Sequence, residues 1–215
     1  MGAFPILSLP EQSDGLRYLM SIRSAGYFNT FDSIIPANDA PGEHSIDILA
    51  LCATQTEADY LARSFPNTVA MVAEKATLAQ WNENASKARF IHIGSFPSTP
   101  GGAIKLSDGL LTLDALASMP LPSVGAMVRG PDPQTAMQRG QALRHAGVDE
   151  VMVQGWGTDK KFEDLMLSYW WELQAGRASV GRSLSEARPR ALREMDTTLL
   201  TRPDVWGGFY IFGKF

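Results

Sequence analysis

Residues 46–65 read IDILALCATQTEADYLARSF, and the fold turns on the change of rhythm halfway along them. Ile46–Leu51 is a short, largely apolar run, the mark of a strand buried on both faces. Thr54-Gln55-Thr56-Glu57 follows with the spacing of a capping box. Ala58, Leu61, Ala62 and Phe65 then recur at helical intervals, and Pro66 and Asn67 stop the helix.

The same unit recurs downstream. Val69–Val72 reads as a strand, and Leu78, Trp81, Ala85 and Ala88 as a helix face. Phe90–Ile93 is a strand, and residues 103–113 form a hairpin turning on Ser107-Asp108-Gly109. Leu113–Ser118 is a short helix. Val124–Val128 is a strand, and Gln134–Ala146 a helix closed by Gly147. Val151–Gln154 is a strand. Phe162, Leu165, Met166, Tyr169, Trp170 and Leu173 make one helical stripe, with Trp171 offset and expected to be exposed. Leu184, Ala187, Ala191, Leu192 and Met195 make a second. Pro189 predicts a kink, or a helix that starts late near Arg188. Arg182, Arg188, Arg190 and Arg193 read as a solvated face, and Gly208–Phe212 as a last strand.

Strands that are apolar throughout, alternating with helices, predict an α/β fold. A mostly parallel sheet of about six strands has helices on both faces, giving three layers. Residues 1–45 are the least regular part. They carry a short helix near Gly15–Arg23 and the loop PANDAPGEH, and are read as an irregular segment packed on a domain spanning 46–215. Sites in such sheets lie beyond the carboxyl ends of the strands, here Leu51–Thr54, His92–Pro97, Val128–Asp132 and Gln154–Asp159.

Composition narrows the function. The 215 residues are 45% hydrophobic and 20% charged, with a net charge of −4. That balance argues against a general nucleic-acid binder, which needs a basic face. Cys52 is the only cysteine, so no disulfide forms within the chain and no cysteine-rich metal site exists. His44, His92 and His145 lack metal-ligand spacing. Neither a metal nor a cofactor is expected. The apolar runs are too short to span a membrane. The start, MGAFPILSLPEQ, makes a poor signal peptide, and a cytoplasmic location is the expectation.

Taken in order, these segments resemble the CHAT domain, a family of caspase- and separase-like cysteine peptidases. The likeness runs through CATQTEADYLARSF, FIHIGSFPSTPGG, AIKLSDGLLTLDAL and PSVGAMVRGPDP. It continues through QALRHAGVDE, VMVQGWGTDK, FEDLMLSYWWELQAG and SLSEARPRALREM to RPDVWGGFYIFG. It covers roughly residues 46–213 and implies a caspase-like sandwich. It also implies a dyad in which a histidine on one strand end takes the proton of a cysteine on the next. The histidine position falls on Phe96, followed by Pro97, and the cysteine position on Gly130. Neither Phe96 nor Gly130 can do the chemistry.

Other residues offer little replacement for the dyad. Cys52 ends a different strand and reads as a small core residue. His92 lies four residues before Phe96, so the two are expected on one face of the sheet, with His92 packed and hydrogen-bonded. Arg129, beside Gly130, could fill the old site or bind a carboxylate. In the clan, an acid near the Trp-containing loop helps line the pocket for the residue before the cut. Asp159 with Trp156 would accordingly form an acidic, aromatic-walled recess for an Arg or Lys side chain. The competing reading makes Asp159 a helix N-cap. The expectation is a non-catalytic domain that binds a protein or peptide partner. The alternative is a small-molecule enzyme or binder that reuses the cleft through His92, Arg129 and Asp159.

Overall fold

The computed structural model describes residues 44–72, 75–96, 99–154, 159–176, 178, 180–195 and 208–213. Residues 1–43 lie outside these, and with them the short helix and the loop expected there. The strands are β1 (Ile46–Cys52), β2 (Thr68–Val72), β3 (Ala88–Ile93), β4 (Ile104–Lys105), β5 (Leu110–Leu111), β6 (Gly125–Arg129), β7 (Glu150–Gln154) and β8 (Phe209–Gly213). The helices are α1 (Gln55–Ser64), α2 (Leu78–Asn84), α3 (Leu113–Ala117), α4 (Pro133–His145), α5 (Lys160–Ala175) and α6 (Val180–Arg193).

Six strands form one sheet in the order β2-β1-β3-β6-β7-β8, and β4 and β5 pair as a separate hairpin. Every neighbour in the large sheet is parallel except β8, which runs antiparallel to β7. Alternation along the strands feeds two cores. Ile48, Ala50 and Cys52 of β1, with Phe90, Met127 and Met152, face α1, α5 and α6. Leu49, Leu51, Ile91, Ile93, Val128 and Val153 face α2, α3 and α4. Helices on both faces of a mostly parallel sheet are the three layers expected from the sequence.

Local chemistry explains the helix ends. Thr77 and Gln80 form a complete capping box at the start of α2. At α1 the box is one-sided. Thr54 accepts from the Glu57 amide, but the Glu57 carboxylate accepts from the Ala53 amide instead of reaching Thr54. That leaves the other Glu57 oxygen for contacts across the sheet.

Four expectations are corrected. Ala62 is exposed, because α1 buries Ala58 and Leu61 and turns position 62 to solvent. Trp171 is buried, wedged against Phe65, Phe90 and Trp170. Helix α6 begins at Val180 and runs through Pro189 without a late start. An interior proline forfeits one backbone hydrogen bond, and the packing of Leu184, Ala187 and Ala191 into the core outweighs that loss. Arg188 is not on a solvated face: it is buried and donates to the Phe209 carbonyl at 2.5 Å, tying α6 to β8.

Candidate functional site

Adjacent strands β3 and β6 put Phe96 and Gly130 on neighbouring loops, as the dyad alignment requires. Their surroundings are closed. Phe96 is buried on the α2–α4 side of the sheet. His92 lies on the other side, with its ring 5.5 Å from that of Trp171. The expectation that His92 and Phe96 share a face is therefore corrected. The chain leaves strand geometry after Ile93, where the Gly94 amide bonds to the Leu51 carbonyl and the Phe96 amide to Gly94 itself, so the alternation that would link the two positions is broken. At Gly130 a Cβ would lie 2.7 Å from the Ala136 nitrogen and 2.9 Å from its Cα. The first turn of α4 thus fills the space where a side chain at 130 would project.

Polar side chains converge instead on the α1–α5 side of the carboxyl ends. His92 Nε2 meets Glu57 Oε1 at 2.8 Å. Arg129 reaches three partners: Nε donates to Gln154 Oε1 at 2.9 Å, Nη1 to Glu57 Oε1 at 3.4 Å, and Nη2 to Glu163 Oε1. Gln154 Nε2 donates to Glu163 Oε2 at 3.0 Å. Gly94 allows this approach, since a Cβ there would stand 2.9 Å from Glu57 Oε2. Five elements, α1, β3, β6, β7 and α5, are joined by one network.

Glu57, His92 and Arg129 of this network line a half-open cleft of about 510 Å³ between α1 and α5. Tyr60, Leu61, Met127, Leu167 and Trp171 supply its apolar walls. Thr56, Ser95 and Ser168 also line it, with the Lys160–Asp164 pair. Among the described residues its lining includes His92 and Arg129 but not Asp159. Trp156 lies outside the described residues.

Asp159 Oδ1 accepts from the Lys161 amide at 3.0 Å and the Phe162 amide at 3.2 Å, capping α5. Asp159→Ala is expected to cost about 1 kcal/mol of stability through the lost cap, and Asp159→Asn much less. Urea denaturation of both variants measures the difference.

Electrostatics fix the state of two groups. Burial alone would raise the Glu57 carboxyl. The hydrogen bond and electrostatic pull of His92, the Ala53 amide and Arg129 outweigh burial and hold it down at about 2. Glu57 therefore stabilises the fold fully above its ordinary value of 4.5, and that contribution is lost as pH falls toward 2. A shift of that size corresponds to roughly 3 kcal/mol. The stability difference between the wild type and Glu57→Gln should shrink by about that amount in denaturation series run through this acid window. Cys52 is fully buried, and burial, aided by the Glu57 charge, pushes its thiol up to about 12.

Sequence reasoning singled out His92 and Arg129, and the structure brings both to the cleft. It missed Glu57, Gln154 and Glu163 as site residues. Glu57 read as half of a capping box, and Glu163 was given no role. The signal lay in position: Glu57 and Gln154 fall in the strand-end segments already marked for chemistry, or just past them. No helix of the described residues is long and apolar enough to cross a membrane. No curated protein matches the chain at a significant level. A family model described as the CHAT domain matches residues 33–214.

Proposed function

The chain belongs to the CHAT domain family, and from that premise we propose that it is a non-catalytic, peptidase-like domain that binds a protein or peptide partner in the cleft between α1 and α5. The observation that carries this reading is the filled space at Gly130. With the helix backbone of Ala136 against it, the position where the resemblance puts a nucleophile has neither a reactive side chain nor room for one. The single thiol gives no substitute. Cys52 sits on β1, is fully buried, and holds its proton far above neutral pH, whereas a nucleophilic cysteine must be a thiolate within reach of substrate. The cleft itself remains open and mostly apolar, as a docking site for side chains needs to be.

Incubation of the protein with a diverse peptide library is expected to give no cleavage, and Cys52→Ala to behave as the wild type. Cleavage that disappears in Cys52→Ala would overturn the reading. The native thiol should resist alkylation near neutral pH and react only on unfolding. A small-molecule ligand is the second reading, favoured by a cleft volume within the usual range for such sites. Capture of peptides from an array, against stabilisation by a metabolite collection, separates the two.

A further inference from the structure

The carboxylate at the base of the cleft, Glu57, and its neighbour Glu163 are already engaged by the chain itself. The guanidinium of Arg129 lies between Glu57 and Glu163 and contacts one oxygen of each. The remaining oxygens are taken as well: Glu57 Oε2 by the Ala53 amide and Glu163 Oε2 by Gln154 Nε2. Every carboxylate oxygen of the pair thus has a protein donor. The side chains of Arg129, Glu57 and Glu163 are 22%, 17% and 10% exposed, so the charges are largely sheltered from water and removing one partner leaves the others uncompensated. A basic side chain entering the cleft would have to share these oxygens with the donors already on them and would face the like charge of Arg129. The rest of the lining is the apolar wall of Tyr60, Leu61, Met127, Leu167 and Trp171, beside a few hydroxyls and the exposed Lys160–Asp164 pair.

We propose that Arg129 is an internal occupant of a guanidinium recess formed by Glu57 and Glu163. By filling that recess it sets the cleft to take an uncharged, apolar side chain of a peptide partner instead of a basic one. The side-chain preference rests on the peptide-binding reading; the recess does not. Removing Arg129 leaves two largely sheltered carboxylates, Glu57 still held by His92, facing a vacated space of guanidinium shape, which a free guanidinium can enter.

The test has two arms. In the first, Arg129→Ala is melted with methylguanidinium chloride and with potassium chloride at equal ionic strength. A saturable rise of a few degrees with methylguanidinium is expected in Arg129→Ala, as for any ligand that binds only the folded state. No such rise is expected in the wild type or in Arg129→Met/Glu163→Gln, where one carboxylate charge is gone. If Arg129→Ala does not fold alone, methylguanidinium should restore folding. Absence of both stabilisation and restoration overturns the recess. In the second arm, peptides differing at one position are arrayed against each protein. The wild type should favour Leu, Met or Phe, and Arg129→Ala should shift toward Arg by about ten-fold or more. A wild-type preference for Arg or Lys overturns the assignment of the cleft. Failure of every peptide to bind sinks the peptide-binding reading and the side-chain preference together, while the methylguanidinium arm still decides the recess.

Discussion

Gly130→Cys is expected to destabilise the protein by several kcal/mol and to bring no peptidase activity, even with Phe96→His beside it. The ideal Cβ at 130 stands 2.7 Å from the Ala136 nitrogen, 2.8 Å from its Cβ and 2.9 Å from its Cα. The nearest atoms include backbone of α4, so no rotamer change relieves the contact and the helix must move. Forcing extra atoms into a packed interior typically costs about 1–3 kcal/mol, and rigid backbone neighbours put the expected value at or above the top of that range. The helix is also held at its start, where the Asp132 carboxylate accepts from the Thr135 amide at 2.8 Å. A shift of α4 therefore strains its cap as well. Phe96→His adds a second loss, since position 96 is 2% exposed among apolar neighbours, and an imidazole there is desolvated without an assured partner. Urea denaturation of Gly130→Ala isolates the first effect from any thiol chemistry. Wild-type stability in Gly130→Ala would show that α4 yields easily, and would remove the main support for a non-catalytic reading.

The reach of the sequence differed between the fold and the site for a physical reason. Strand identity is local: residues 48–51 and 151–153 are buried on both faces, so an unbroken apolar run announces them. The adjacency of the strands that lead to Phe96 and Gly130 followed from the family resemblance, and the full strand order came only with the structure. The network is not local. Glu57 and Arg129 lie 72 residues apart and Arg129 and Glu163 lie 34 apart. They meet because β3 and β6 are neighbours and because α1 and α5 share one face of the sheet. Glu57 had an adequate local reading as a cap and Arg129 as a strand end, and nothing local distinguishes a glutamate that faces solvent from one that faces a half-buried arginine. For Pro189, the late-start alternative failed in the opposite sense. Its propensity was read correctly, and tertiary packing overrode it.

Trp170 and Trp171 give the second large expected effect, and the pair separates packing from function. Adjacent positions on a helix point about 100° apart, so burial of both requires two different surfaces. Trp170 packs edge-on to Phe90 at 5.3 Å and is fully buried. Trp171 meets Phe65 at the end of α1 and His92 on β3, each at 5.5 Å, and it also walls the cleft. Trp170→Ala and Trp171→Ala should each lose about 3–5 kcal/mol, the usual cost of deleting a buried aromatic side chain. The phenylalanine variants are more discriminating. Among the described residues Trp170 Nε1 has no hydrogen-bond partner, so Trp170→Phe also removes a buried unsatisfied donor, which offsets part of the lost contact area. It should cost less than Trp171→Phe in denaturation experiments. Peptide binding should follow the reverse logic: unchanged in Trp170→Phe, whose side chain is shut inside the core, and weakened in Trp171→Phe, whose ring forms part of the cleft. Equal binding losses in the two variants would mean that the cleft is not where the partner sits.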